Sequence, residues 1–242
     1  MIMGVETSGR TLGLGLLRDG EVLGSLRLRG GGRSSRLLPA AADHILELSD
    51  LRVGDLQAVA AARGPGSFTG IRIGCAFAAG LARGLGIPAI GVDSLAALAA
   101  GTPLPREAIA IPALGARRGA YFTAAYERSS RVSPGDGRYW HPVQLVDTDR
   151  RTPEEMSEIL GDSVGKSWWI GDGETQRDGI LRDTGPFAAV FGDNDIDPAA
   201  VAYLGSVSIM GGVPGDPRDL VPHYHRATEV ERRLGGGKGI DR

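Results

Sequence analysis

Several residue types are scarce in this chain of 242 residues. There is a single cysteine, Cys75, so no disulfide can form within the chain, and its apolar neighbours offer no base that would activate a catalytic thiol. No apolar run approaches the roughly 20 residues that a membrane-spanning helix needs, and no basic and apolar leader follows Met1. These absences exclude a disulfide-rich secreted domain and predict a cytoplasmic protein without a membrane segment.

Charge and metal ligands are equally sparse. The formal net charge is -2, which provides no electrostatic footprint for binding nucleic acid unaided. The four histidines are scattered, without a pair at helical spacing, at His44, His141, His223 and His225. The sequence therefore predicts neither a metal site nor direct binding of RNA by this chain alone.

The order of predicted elements defines the fold class. Three strands at 2–7, 11–17 and 21–28 are followed by a helix over 34–48, a strand over 56–62, a helix over 70–85, a strand over 88–92 and another helix. This order is the ribonuclease H-like α/β pattern, and a weaker repeat of it follows residue 105. We therefore predict a duplicated fold with a degenerate second half. Its predicted parts are an N-terminal subdomain over 1–101, a smaller C-terminal subdomain over 102–228, and a disordered tail over 229–242.

The turn between the fourth strand and the second long helix is rich in glycine. It comprises Arg63, Gly64, Pro65, Gly66, Ser67, Phe68, Thr69 and Gly70. Its backbone N–H groups and the helix dipole could hold an anion, or the glycines could serve only a tight crossover, and the residues alone do not separate the two. The helix that follows is apolar on nearly every side, so it must be covered on more than one side. A sheet is one expected cover, and another protein is the other.

Phosphate chemistry of the chain's own is poorly supported. Glu6, at the end of the first strand, is where a nucleotide binder of this fold would place a carboxylate to position magnesium. The corresponding start of the second half, 114–119, carries no carboxylate, which a phosphotransferase would need. The segment 160–167 is a near-miss to a phosphate loop in the wrong context, between a helix and a strand. We predict no catalytic residue, no cofactor site and no metal site, and keep an autonomous ATPase or phosphotransferase as the alternative.

The turn sequence R-G-P-G-S-F-T-G-I-R-I-G from Arg63 to Gly74 resembles the signature of the TsaB (YeaZ-like) family, glycoprotease-like proteins of tRNA threonylcarbamoyladenosine biosynthesis. The resemblance runs from end to end. It also includes R-L-L-P from Arg36, G-V-D-S-L-A-A-L from Gly91, A-R-R-G from Ala116, and a C-terminal P-x-Y-x-R at Pro222, Tyr224 and Arg226. The chain departs from the family in carrying Glu6, Arg33 and Gly115 where Asp, His and Asp are usual.

The resemblance implies an actin-like (ASKHA) fold and a scaffold function. In that family the subunit has no catalysis of its own. It pairs with the catalytic subunit TsaD through the two first-half helices, and TsaE joins as an ATPase. The resemblance then implies that the nucleotide and the metal are bound by the partner subunits and that tRNA is bound only by the complex. The isolated chain is expected to form a homodimer. The peptidase function suggested by the glycoprotease label is unsupported, because no zinc ligands or nucleophile and base are present.

The helices that correspond to the family's pairing helices are those over 34–48 and 70–85. On them we predict that the partner interface comprises Leu37, Leu38, Ala41, Ile45, Ile73, Gly74, Phe77, Ala78 and Leu81. Small residues at four-residue steps, such as Gly74 and Ala78, would let a partner helix approach closely. Gly74→Arg would then abolish pairing.

Overall fold

The first sheet is built from the first three strands and two later ones. The computed structural model describes residues 1–29, 34–115, 120–130, 137–171, 187–190 and 195–224. The strands are β1 (Ile2–Glu6), β2 (Thr11–Arg18), β3 (Glu21–Arg29), β4 (Ala58–Ala62) and β5 (Ala89–Val92). They lie in the order β3-β2-β1-β4-β5, with β1 antiparallel to β2 and parallel to β4. A tight hairpin joins β2 to β3, in which Asp19 and Gly20 take positive φ values of 51° and 86°.

Two long helices cover one face of this sheet. They are α1 (Ser34–Leu48) and α2 (Phe68–Leu85). The side chain of Ser67 caps α2 by accepting a hydrogen bond from the amide of Gly70, and Gly86 ends the helix in the left-handed conformation. Strands β1 and β4 are buried on both faces, as parallel strands covered by helices on each side require.

The second sheet repeats the topology of the first. Its strands are β6 (Ile109–Gly115), β7 (Tyr121–Arg128), β8 (Pro142–Arg151), β9 (Ser167–Gly171) and β10 (Ala188–Val190), in the order β10-β9-β6-β7-β8. Each strand has a counterpart in the first sheet, and the parallel and antiparallel pairings correspond as well. The sheet therefore confirms the predicted duplication. The edge strand β8 was not predicted, because it is mostly exposed and polar.

The described residues contain three further helices, namely α3 (Ser94–Gly101), α4 (Pro153–Leu160) and α5 (Pro198–Met210). Thr152 and Glu155 form a capping box at the start of α4, and the side chain of Asp197 caps the start of α5. Two 3-10 turns, Val53–Asp55 and Gly161–Lys166, connect neighbouring elements. The second lies in the near-miss phosphate segment, between a helix and a strand as expected.

The two halves exchange helices. Helix α3 follows the first sheet in the chain but packs against β6 and β7 of the second, whereas α5 follows the second sheet and packs against β1, β2 and β4 of the first. The layers therefore run from α1 and α2 through the first sheet, α3 and α5, and the second sheet to α4. The predicted boundary between residues 101 and 102 separates the sheets, but it does not separate the packing units, because each half contributes a helix to the core of the other.

Residues beyond α5 return to the first sheet. We call residues 213–224 the C-terminal strap. Leu220 of the strap is buried in the core that α2 forms with the first sheet. The predicted disordered tail, 229–242, and Arg226 lie outside the described residues. Within the described part of the chain, no helix is both long and apolar enough to cross a bilayer.

Candidate functional site

The glycine-rich turn is held on three sides. At its start, the amide of Arg63 donates to the carbonyl of Val92 (2.9 Å), and the carbonyl of Arg63 accepts from the amide of His223 in the strap (2.7 Å). The amide of Gly64 donates to the hydroxyl of Ser94 at the start of α3 (3.2 Å). The amide of Ser67 donates to the carbonyl of Ser8 in the loop after β1 (2.7 Å). The turn thus joins the ends of β1, β4 and β5.

Two glycines of the turn are required by its shape. Gly64 and Gly66 take φ values of 120° and 155°, which other residues rarely adopt. A Cβ atom at Gly64 would lie 2.5 Å from the carbonyl oxygen of His223, and one at Gly66 would lie 2.5 Å from that of Ser8. The amides of Gly64, Ser67 and Gly70 already have partners within the chain. These contacts and backbone angles are those that a tight crossover between β4 and α2 requires.

Glu6 lies under the loop that follows β1. Its side chain is 1% exposed, and Oε1 accepts hydrogen bonds from the amide of Ser8 (2.6 Å), the hydroxyl of Ser8 (2.7 Å) and the amide of Gly9 (2.9 Å). Oε2 is buried without a hydrogen-bond partner. Burial raises the pKa of Glu6 to about 7, against the opposing effect of the hydrogen bonds from Ser8 and Gly9.

A chain of hydrogen bonds links Glu6 to the turn. The Ser94 hydroxyl donates to the Ser8 hydroxyl (3.1 Å), which in turn donates to Glu6. Because Ser94 also accepts from the amide of Gly64, the carboxyl group, the first loop and the turn form one network. In this network the Glu6 carboxyl group holds the backbone of Ser8 and Gly9 in place by accepting hydrogen bonds from their amides.

A cleft of about 280 Å³ lies between the two halves. The described residues that line it come from the first loop, the turn, the end of β6 and the approach to α5: Ser8, Gly9, Arg10, Gly66, Ser67, Leu114, Gly115, Asp195 and Ile196. Asp195 supplies a carboxylate that was not predicted from the sequence, because it is far along the chain from Glu6 and reaches the cleft only through the path of the chain into α5. No group of three metal-ligating side chains is found among the described residues.

Burial divides the predicted partner interface into two sets. Five of its nine residues pack inside this chain and are not available to a partner, namely Leu38, Ala41, Ile45, Gly74 and Ala78. Their prediction as contact residues is wrong, because they face the first sheet. The other four are half-buried and reach the surface: Leu37, Ile73, Phe77 and Leu81.

The line of small residues on α2 meets the sheet. A Cβ atom at Gly74 would collide with the hydroxyl oxygen of Thr7, which donates to the carbonyl of Gly70 (2.7 Å). Gly74→Arg would therefore disrupt the fold of the isolated chain, and it is not a test of pairing. The close approach that the small residues permit is between α2 and β1.

A second line of small residues faces outward on α2. Ala76, Gly80 and Gly84 are exposed, and a Cβ atom at Gly80 or Gly84 would have nothing within 4 Å. Together with Ile73 and Phe77 they form what we call the outer face of α2. Both lines of small residues follow helical spacing in the sequence. Only the structure shows that the first is covered by the sheet and the second is exposed.

The strap ends at the first turn of α2. Tyr224 stacks on Phe68 with ring centroids 4.9 Å apart, and its hydroxyl accepts a hydrogen bond from Nε of Arg72 (2.6 Å). The Arg72 guanidinium lies over the Phe68 ring, 4.0 Å from its centroid. Tyr224 belongs to the C-terminal P-x-Y-x-R motif, and its partners Phe68 and Arg72 are too remote in sequence to be predicted from that motif.

Cys75 is a core residue. It is 2% exposed, and burial raises the pKa of its thiol to about 11. The thiolate needed for nucleophilic catalysis is therefore strongly disfavoured at neutral pH.

The repeated sheet and its exchanged helices define a duplicated ribonuclease H-like, actin-like (ASKHA) protein. Comparisons with known proteins narrow this class. The family model for TsaD, tRNA N6-adenosine threonylcarbamoyltransferase, matches residues 32–134. The tRNA threonylcarbamoyladenosine biosynthesis protein TsaB of Escherichia coli is 32% identical over 188 residues, which are 75% of this chain and 78% of that protein. TsaB of Bacillus subtilis is 29% identical and aligns over 96% of both chains.

The fold is also that of a solved relative. A crystal structure from Pseudomonas aeruginosa, described as similar to the peptidase YeaZ, superposes with a TM-score of 0.70 at 23% identity and covers 93% of this chain and 99% of that one. The chain belongs to the TsaB family.

Proposed function

We propose that this chain is a non-catalytic scaffold subunit in tRNA threonylcarbamoyladenosine biosynthesis, and that it binds a TsaD-like catalytic subunit through α1 and the outer face of α2. The observation that carries the proposal is the exposed side of α2. The outer face of α2 presents small residues and the half-buried side chains of Ile73 and Phe77 to solvent, and the half-buried Leu81 lies beside it. Such a surface suits close packing with a partner helix.

The contacts inside the first half favour a scaffold function of this chain over an ATPase function. Glu6 is enclosed and hydrogen-bonded to the loop after β1, and three amides of the turn are engaged within the chain. These groups stabilise the edge from which α2 starts. In this proposal ATP and metal belong to the catalytic subunit and to a TsaE-like ATPase, and tRNA is bound by the complex.

Gly80→Arg tests the contact face. The added side chain has open space at Gly80, so the isolated chain should fold normally, whereas a partner packed on α2 would be displaced. Gly165→Arg is the matched control, because Gly165 is exposed, has nothing within 4 Å of a Cβ atom and lies in the second half.

The measurement is binding of the TsaD-like subunit from the same organism, by calorimetry, followed by tRNA modification in the reconstituted system. The wild type and Gly165→Arg should bind equally, and Gly80→Arg should bind more weakly by a factor on the order of 100, since a bulky group at a packed interface removes several kcal/mol. Absence of binding by the wild type would refute the scaffold function. Normal binding by Gly80→Arg would refute the contact face alone.

Homodimerisation in isolation is part of the same proposal. The outer face of α2 would pair with that of a second copy when no catalytic subunit is present, because an isologous contact uses the same surface on both chains. Sedimentation of the wild type should then give a dimer that Gly80→Arg converts to a monomer.

A further inference from the structure

The strap adds a distinct surface beside the outer face of α2. The strap follows α5, and the carbonyl of Gly215 in the strap accepts a hydrogen bond from the amide of Ala89 at the start of β5 (2.8 Å). It then buries Leu220 and reaches the glycine-rich turn through His223. Tyr224 is thereby brought to the first turn of α2. The three side chains Phe68, Arg72 and Tyr224, which we call the arginine cluster, come together only because the strap is docked.

The arginine cluster is exposed, and among the described residues its one positive charge has no carboxylate partner. Phe68 is 44% and Tyr224 36% exposed. No carboxylate of the described residues lies within ion-pair distance of Arg72, and α2 contains no acidic residue along its 18 positions. The Nε group is occupied by the Tyr224 hydroxyl and one face of the guanidinium by the Phe68 ring, so the side chain is fixed in place.

We propose that the arginine cluster is a second contact with the catalytic subunit and that it binds an acidic side chain of that partner. This inference rests on the proposed function, since the cluster adjoins the outer face of α2. A carboxylate can accept from the terminal N–H groups of Arg72, and an arginine whose position is already fixed loses less conformational freedom on binding. The exposed part of the Phe68 ring would pack against the methylene groups of the same acidic residue.

A protein carboxylate fits the surface better than an RNA phosphate does. The chain has a net charge of -2, and the cluster contains a single cation. Phosphate binding sites on RNA-binding proteins are built from several cations that follow the backbone. An aromatic pair around one arginine is typical of the anchoring residues in protein interfaces.

The test compares the two arginines of α2. In Arg72→Gln the charge and the stacking on Phe68 are lost, whereas the control Arg83→Gln makes the same change at the far end of the helix, outside the cluster. Binding to the catalytic subunit is measured by calorimetry at low and high salt. We expect Arg72→Gln to weaken binding roughly ten-fold and to reduce the salt dependence of the dissociation constant, and Arg83→Gln to stay within about three-fold of the wild type.

Tyr224→Phe is the second variant. It keeps the ring on Phe68 and removes only the oxygen that accepts from Arg72, so binding should weaken by roughly three-fold with unchanged thermal stability. If Arg72→Gln binds the catalytic subunit as the wild type does, the proposal is overturned. If that variant binds the subunit normally but lowers retention of tRNA by the complex, Arg72 is a phosphate contact, and the proposal is overturned as well. If the wild type itself does not bind the catalytic subunit, it is the proposed scaffold function that fails.

Discussion

Replacing Glu6 by glutamine tests the burial of the carboxyl group at the end of β1. Burial raises the pKa of Glu6 to about 7 from an ordinary value of 4.5. The glutamine keeps an oxygen that can accept from Ser8 and Gly9, and it cannot ionise. The variant therefore removes the titration of this group and retains most of its contacts.

The sign of the pH dependence follows from the two pKa values. Below about pH 4.5 the carboxyl group is protonated in both the folded and the unfolded chain. Between 4.5 and 7 it ionises in the unfolded chain only, which stabilises the unfolded state, and above 7 it ionises in both. Because a difference of one in pKa corresponds to about 1.4 kcal/mol, the wild type should lose about 3 kcal/mol of stability from this group as the pH rises through that range.

The assay is urea unfolding followed by tryptophan fluorescence, at intervals between about pH 4 and pH 8.5. All other groups titrate in both proteins, so the informative quantity is the free energy of unfolding of Glu6→Gln minus that of the wild type. It should increase by about 3 kcal/mol from the acidic to the alkaline end. Glu158→Gln, at an exposed position of α4, controls for the chemical change. A difference between Glu6→Gln and wild type that is the same at every pH would refute the reasoning.

Three other predictions concern the core and the helix termini. Gly74→Ala should lower the free energy of unfolding by about 1–3 kcal/mol, because the added Cβ atom would collide with the Thr7 hydroxyl. Gly80→Ala should leave the free energy of unfolding unchanged or raise it, since the Cβ atom has open space there. Equal urea midpoints for the two variants would contradict the assignment of the buried face of α2. Thr152→Ala should cost about 1 kcal/mol in chemical denaturation, since the first turn of α4 loses its cap. The thiol of Cys75 should react with a disulfide reagent at pH 8 only after unfolding, and rapid labelling of the native protein would show that it is accessible.

Elements with local signals were predictable from the sequence. Asp19 and Gly20 specify their own turn, and Thr152 and Glu155 specify a capping box, because each signal lies within a few residues of the structure that it forms. The edge strand β8 was not predicted, because it has no such local signal. It is formed by pairing with β7, and its exposed polar residues carry no alternation that would distinguish it from a loop.

The contact surface was only partly predictable. The sequence indicates that α2 must be covered on several sides, and the structure provides the sheet beneath it and the strap at its side. Gly74 and Gly80 are indistinguishable in a helix that is apolar nearly all round, yet one contacts Thr7 and the other faces solvent. Which glycine is exposed depends on the rotation of α2 on the sheet.

The sequence by itself determined the family, the order of elements in the first half, the duplication and the local turns and caps, because these depend on residue types at short or fixed spacing. Only the tertiary structure decided that α3 and α5 pack on each other's sheets, that Gly74 is inside, and that Tyr224 meets Arg72 across 152 positions of the chain. Contacts of this kind bring together segments that are remote in sequence, and they are set by the packing of the whole core.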